Sequence, residues 1–468
     1  MGLRAFCVHA HFYQPPREDP VTGLIPNEAG SAPFHNWNDR IHAECYRPNA
    51  ELGNFSKISF NVGPTLLNWI AEHHISTYQM IIDQDRENYL KYGVGNAMAQ
   101  AYHHTILPLG SRADKITQVR WGIADFEHHF GHPPAGLWMP ETAVNLETLV
   151  VLADCGIQYT ILAPWQIQSK GVESGEPYRV DLPGNRSITV FVYDRDLSTR
   201  ISFDPGATSN ADLFATNVLT PKYQSLSAQD GNPQCLMVAS DGELYGHHQT
   251  FRDKFLAHLL NTSIRAEKLE LTYPGLWLKY NNPKQKAEIL ENTSWSCHHG
   301  VTRWMGECGC TSGSPWKAPL KRGLNRLAAA LDRLYLDFTH QYLDDPWELR
   351  HASIAVRLGR VDVDELVQTM AGRRLEFDEI RRIALLLDAQ YERQRIFTSC
   401  GWYFDEFDRI EPRNNIAYAA KAVWLTWLAT GVDLSTEALA DLKGVVSQRS
   451  GLRGDSVFSE TYRRITTH

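Results

Sequence analysis

No stretch of this chain approaches the ~20 consecutive apolar residues that a helical membrane span needs. The opening segment, Gly2 to Val8, has too short an apolar run for a secretory signal core and no small-residue cleavage pattern. Positive charge is not in excess: 46 Lys and Arg stand against 54 Asp and Glu, a formal net charge of −8. That excludes the basic field on which nucleic-acid binding depends, so neither nucleic acid nor membrane is expected as a partner. Cysteine is sparse, eight in 468 residues, and Cys7, Cys155 and Cys235 sit in apolar runs. Such placement indicates reduced thiols in a cytoplasmic protein, not a disulfide framework. No internal repeat is visible, and the oligomeric state leaves no mark on the sequence.

What is present describes a soluble globular chain. Hydrophobic residues make up 43% and charged residues 21%, which rules out wholesale disorder. The length suits two or three domains, or one large α/β barrel with an appendage. Thirteen tryptophans supply large core residues, and their flat faces also suit sugar rings.

The N-terminal part alternates strands and helices. Strands are predicted at Arg4–His9, Lys57–Asn61, Gly136–Trp138, Gln158–Leu162, Ser187–Tyr193, Cys235–Ala239 and Lys268–Thr272. Pro64 opens a helix, Asp114 is placed to cap one over Lys115–Phe130, Asn145 caps one ending near Cys155, and another runs from about His248 to Leu260. Alternation without obvious hairpins predicts a parallel sheet, and about seven strands fit a barrel of alternating strands and helices over residues 1–290. A glycine- and cysteine-rich segment follows at 291–315. It is too polar and too broken for either period, so an ordered functional loop is expected there. Residues 316–468 read as an α-helical bundle, with Leu320, Leu324, Leu327, Leu331, Leu334 and Phe338 recurring every three to four positions.

Polar residues gather where the predicted strands end: His9, His11 and Gln14; Asn61; Glu141; Asp194; Asp241 and Glu243. In a parallel α/β barrel that end is the active face. Glu141 and Asp241 each follow a strand expected to be buried. Such a pair suits glycoside chemistry, one carboxylate meeting the sugar centre and the other protonating the leaving oxygen. Alone, Asp241 reads equally as the cap of the following helix. His9, His11 and Asp241 also have the ligand types of a metal-dependent carbohydrate deacetylase, but neutral histidines bonding sugar hydroxyls are the simpler reading. Cys297, His298, His299, Cys308 and Cys310 include zinc-ligand types but lack two CxxC pairs. They are taken as a structural thiol cluster, and no metal is expected.

Together these motifs resemble glycoside hydrolase family 57. His11-Phe-Tyr-Gln14-Pro15 is similar to an expanded first family motif, Gly136-Leu-Trp138-Met-Pro-Glu141 to the third, and Ser240-Asp241-Gly-Glu243-Leu-Tyr245-Gly-His247 to the fourth. The resemblance implies a (β/α)7 TIM-like barrel followed by an α-helical C-terminal domain. It implies Glu141 as nucleophile and Asp241 as general acid/base, with Glu243 and His11 holding sugar hydroxyls. Trp138, Tyr245 and His247 would shape the same subsite. The second motif departs: no Gly-X-Leu-Glu segment is found, and His103 or His104 stands where the family has Glu. For the fifth, His298 or His299 and Trp304 are the candidates. The segment from Ser294 to Cys310 also resembles a subgroup carrying a domain of unknown function.

The expectation is therefore a retaining glycosidase or transglycosylase needing no cofactor. Its partner would be an α-glucan or maltooligosaccharide substrate, linked α-1,4 or α-1,6. The alternatives are the deacetylase and a glucan-binding protein that has lost catalysis.

Overall fold

A computed structural model of the chain describes residues 3–169, 175–226, 233–310 and 313–467. Two compact units emerge. One comprises Met1–Gln14, Asn27–Ala101 and Phe126–Trp295; the other comprises Pro15–Pro26, Tyr102–Asp125 and Ser296–His468. This differs from the expected cuts at 290 and 315. Two short segments from within residues 1–290 join the second unit, as does the cysteine-rich segment from Ser296 onward. Periodicity along a chain reports on local elements and does not register which distant pieces share a core.

In the first unit the strands are β1 (Arg4–Phe12), β2 (Ser59–Val62), β3 (Ala99–Gln100), β4 (Leu137–Trp138), β5 (Tyr159–Leu162), β6 (Ile167–Gln168), β7 (Tyr178–Leu182), β8 (Arg186–Val192), β9 (Gln234–Asp241), β10 (Glu270–Leu271), β11 (Gln285–Lys286) and β12 (Glu288–Ile289). β1 pairs in parallel with β9, β2 and β10. β3 pairs in parallel with β4, and β5 with β8. Single parallel bridges, Phe60 to Ala97 and Gly136 to Tyr159, join these sets. Helices such as Pro64–His73 and Leu146–Asp154 lie between successive strands. Asn145 caps the latter as expected, its side chain accepting from the Thr148 N–H at 2.9 Å.

Successive side chains of a strand alternate between faces. Ala5 and Cys7 of β1, Ile161 of β5, Phe191 of β8, and Cys235, Met237 and Ala239 of β9 therefore meet in one buried core with Trp138 and Tyr159. The same alternation carries the β1 row on to His9 and His11, and the β9 row on to Asp241. Packing thus ends in chemistry on one face.

Two elements differ from expectation. β7 and β8 form an antiparallel hairpin. Gly184 and Asn185 in its connection both have positive φ, a turn chemistry present in the sequence but not weighed there. The helix expected to start after Asp114 spans Arg112–Phe130. Ser111 and Asp114 exchange hydrogen bonds across its first turn, so Asp114 lies inside the helix and not at its cap.

The second unit is helical. Lys317–Thr339, Phe377–Arg395 and Ile410–Thr430 are its longest helices wholly inside it. Tyr335, Phe338, Leu349, Ile383, Leu386 and Ala429 share one of its cores. Of the spacing that predicted the helix Lys317–Thr339, Leu320, Leu324, Leu327, Leu331 and Phe338 are buried, with Tyr335 in place of Leu334, since residues three and four apart lie on one helix face.

Candidate active site

Register builds the floor of the site. His11 of β1 stands opposite Asp241 of β9 on one side and Asn61 of β2 on the other. Asn61 Nδ2 donates to Gln100 Oε1 of β3 at 2.7 Å, and Gln100 is the register partner of Trp138 on β4. One layer thus runs Asp241, His11, Asn61, Gln100, Trp138 across five strands.

Beneath it His9 is fully buried, with Nδ1 2.9 Å from Ser59 Oγ and Nε2 3.2 Å from Asn61 Oδ1. Both imidazoles stack on Trp138, at centroid distances of 4.7 Å for His9 and 5.0 Å for His11. Burial, joined by the neighbouring His11, lowers the His9 pKa to about 3, and burial lowers that of His11 to about 4. Both rings are therefore neutral at pH 7. The predicted first strand ended at His9; β1 runs three residues further and takes in His11. A neutral imidazole stacked on an indole packs like a core residue. With both nitrogens occupied and no exposure, His9 braces Asn61 and is not a substrate contact.

Glu141 follows β4 in a left-handed conformation, φ 57° and ψ 20°, and Thr142 beside it has φ 47°. Two adjacent non-glycine residues at positive φ cost energy and persist only where surrounding bonds hold them. Here Gln166 does so, accepting from Thr142 Oγ1 at 2.7 Å and donating to the Thr142 carbonyl at 2.8 Å. Trp295 holds Glu141 twice: its backbone N–H donates to the Glu141 carbonyl at 3.0 Å and its indole Nε1 to Oε2 at 3.1 Å. The Trp295 ring also packs edge-on against Trp138, at 5.0 Å.

Asp241 ends β9. Its side chain is open to solvent, yet enough protein surrounds the carboxyl to desolvate it. That burial, reinforced by the negative charge of Glu141, raises its pKa to about 7. Glu243, two residues on, is buried and also raised to about 7, by burial first and then by the Asp241 charge. Its Oε1 accepts from Tyr46 Oη at 2.7 Å, from the Tyr13 N–H at 3.1 Å and from Gln14 Nε2 at 3.4 Å. Gly242 between the acids is required sterically: a Cβ there would lie 2.2 Å from the Phe12 ring. Gly246, at φ 135°, has the same need against the Glu44 carbonyl.

Asp241, Glu141, Glu243, His11, Gln14 and Trp138 thus belong to one unit and one network. Two expected substrate contacts sit behind that surface instead. Trp138 is fully buried under the histidines. Tyr245 is 1% exposed, and its hydroxyl accepts from Ser240 Oγ at 3.2 Å, which supports the end of β9. His247 Nδ1 engages Glu44. His104, His299 and Trp304 belong to the second unit. There His104 Nδ1 lies 2.6 Å from Ser399 Oγ, and Trp304 is buried. Trp295, Tyr46 and Gln100 were missed as site residues. Trp295 lay within the singled-out segment, but Tyr46 and Gln100 have no local motif to mark them.

A 4-α-glucanotransferase from Thermococcus litoralis is 23% identical over 275 residues, 55% of this chain and 39% of its own. The chain therefore spans about two fifths of the length of that curated relative. An exo-type maltose-forming amylase from Pyrococcus sp. ST04 has the same fold, with a TM-score of 0.75 at 15% identity, covering 98% of this chain and 88% of the other. A branching enzyme from Pyrococcus horikoshii gives 0.65 at 14%, covering 99% and 94%. Residues 314–465 match a domain of unknown function, DUF3536. Residues 27–288, more than half the chain and including Glu141, Asp241 and Glu243, match the glycosyl hydrolase family 57 model, and the chain belongs to that family.

Proposed function

We propose that this chain is a retaining glycosidase or transglycosylase of α-glucans. Glu141 is the nucleophile and Asp241 the general acid and then base. The observation that carries the reading is the strand layer Asp241, His11, Asn61, Gln100 and Trp138, which sets Asp241 at the end of β9 and Glu141 just past β4, where burial and the Glu141 charge raise the Asp241 carboxyl. An acid so placed keeps a proton at neutral pH to give to a leaving oxygen. Glu141 attacks the anomeric carbon while Asp241 protonates the departing glycosidic oxygen, leaving a glycosyl ester on Glu141. Asp241, now a carboxylate, takes a proton from water or from a sugar hydroxyl, which attacks the same carbon and frees Glu141. This requires the carboxyls ~5–5.5 Å apart. The Trp295 indole fixes the Glu141 oxygen that does not attack, and Tyr46, Gln14 and the Tyr13 N–H fix Glu243 for sugar hydroxyls.

The substrate class follows the names of the relatives, an amylase, a glucanotransferase and a branching enzyme. The reading takes the parallel strands as a closed (β/α)7 barrel. Their shared core supports this, as does a 2.7 Å backbone bond from Asp194 N–H, just past β8, to the Met237 carbonyl of β9. It places the protein in the cytoplasm, in keeping with eight cysteines that are all free. The deacetylase alternative needs His9 as a ligand, and both its nitrogens are occupied. Loss of catalysis is disfavoured by the presence of both carboxyls.

The test is a product profile on maltooligosaccharides, amylose and a branched glucan, for wild type and Glu141→Gln. Wild type should give shortened, transferred or newly branched chains with retained anomeric configuration. The variant should lose roughly 10³-fold or more of that turnover. Equal turnover by both proteins would overturn the assignment.

A further inference from the structure

Outside the active site, one side-chain cluster has chemistry that the glycosidase reading does not use. Cys297, His299, Cys308 and Cys310 of the second unit each offer one donor atom, and all four atoms lie within 4.8 Å of one another. Cys297 Sγ is 3.4 Å from Cys308 Sγ and 3.7 Å from Cys310 Sγ. His299 Nδ1 is 3.3 Å from Cys308 Sγ and 3.3 Å from Cys310 Sγ.

We propose that these four residues form a structural zinc site of the Cys3His type. A tetrahedral zinc with bonds of ~2.3 Å to sulfur and ~2.0–2.1 Å to nitrogen spaces its donors about 3.5–3.8 Å apart. The observed separations bracket the lower end of that range. A disulfide, by contrast, needs sulfurs ~2.05 Å apart, and all three cysteines are free. Three soft thiolates and one imidazole in a tetrahedron select zinc over hard cations such as magnesium or calcium. All four positions are taken by protein, which marks a structural site; a catalytic zinc keeps one position open.

The local backbone supplies the need as well as the ligands. Between Trp295 and the helix Lys317–Thr339 the described residues contain only one three-residue helical turn, Thr302–Trp304. A segment with so little backbone pairing gains its order from side-chain cross-links, and a metal is an efficient one. Two short loops meet at the cluster. In one, the Gly300 N–H donates to the Cys297 carbonyl at 3.1 Å, closing a turn that carries both Cys297 and His299. In the other, Gly309 between Cys308 and Cys310 lies against the His299 ring, where a Cβ would stand 3.4 Å from its edge. In the sequence this segment offers zinc-ligand types without two CxxC pairs, since each arm has a single intervening residue and not the usual two to four.

The experiment is metal analysis of the full chain purified without chelator, with Cys310→Ser, His299→Ala and the control Cys155→Ser. The expected result is about one zinc per chain in wild type and Cys155→Ser, falling to background in the other two. Protein produced with Co2+ should show the visible ligand-field bands of a tetrahedral thiolate site. If the ligand variants do not fold, mercurial titration of wild type serves: zinc should be released as three cysteines react. A zinc-free wild-type protein, a Cys297–Cys308 disulfide found by mass spectrometry, or undiminished zinc in Cys310→Ser and His299→Ala would overturn the proposal.

Discussion

Two aspartates, one in each unit, meet opposite fates. Asp114 in the second unit faces two guanidiniums, Arg393 Nη1 at 2.9 Å and Arg350 Nη2 at 3.2 Å, and accepts from Gln394 Nε2 at 2.7 Å. Burial works against its charge, but the arginines win and hold its carboxyl well below the usual range. Asp241 in the first unit has no Lys or Arg ion pair among the described residues, and its charged neighbour is Glu141. There burial and like charge act together, and the carboxyl is raised to about 7. A charge fully compensated in every ionisation is structural. A charge left in conflict has two protonation states close in energy, which is what proton transfer needs.

The sharpest way to break this comparison is Asp241→Asn. It should lower turnover of unactivated glucans by roughly 10²–10⁴-fold. It should also change stability. A carboxyl whose folded pKa lies above its unfolded value binds protons more tightly when folded, so its cost to the fold grows as pH rises from about 4 to 7 and is constant above. Asp241→Asn should therefore raise the melting temperature at pH 8 and change it least near pH 4. Equal melting temperatures at both values would show that Asp241 is not strained.

Arg350→Ala tests the other side. Arg350 is fully buried, donates to Gln390 Oε1 at 3.0 Å and to Thr117 Oγ1 at 3.1 Å, and stacks on Trp347. Its removal leaves Asp114 partly unpaired and should cost about 3–5 kcal/mol by denaturant unfolding, with the pH profile of the remaining activity unchanged. Tyr46→Phe should have the smallest effect. It removes the 2.7 Å donor from Glu243 at a cost of about 1–2 kcal/mol, read as a several-fold rise in KM with kcat largely kept. A fall in kcat with KM unchanged would instead give Glu243 a role in the chemical step.

The two units were unequally legible in the sequence. The helices Lys317–Thr339 and Phe377–Arg395 were readable because a buried stripe repeats along them. Glu141 and Asp241 stand out in the sequence because each closes a compact strand-end motif. The end of β1 does not, since His11 looks like a loop residue until Trp138 is seen stacked on it. Gln100 and Tyr46 join the site only through register and packing, which no local pattern encodes. The hold of Trp295 on Glu141 spans 154 residues.

The central claim is that Glu141 becomes covalently glycosylated. The direct measurement is to trap that ester with a fluorinated glucosyl fluoride that reacts readily and hydrolyses slowly, then digest the protein and sequence the labelled peptide. The account predicts a single glycosyl group on Glu141, no label in Glu141→Gln, and labelling in Asp241→Asn close to that of wild type, because fluoride departs with little need of an acid. Label on another residue, or no label together with products of inverted anomeric configuration, would contradict it.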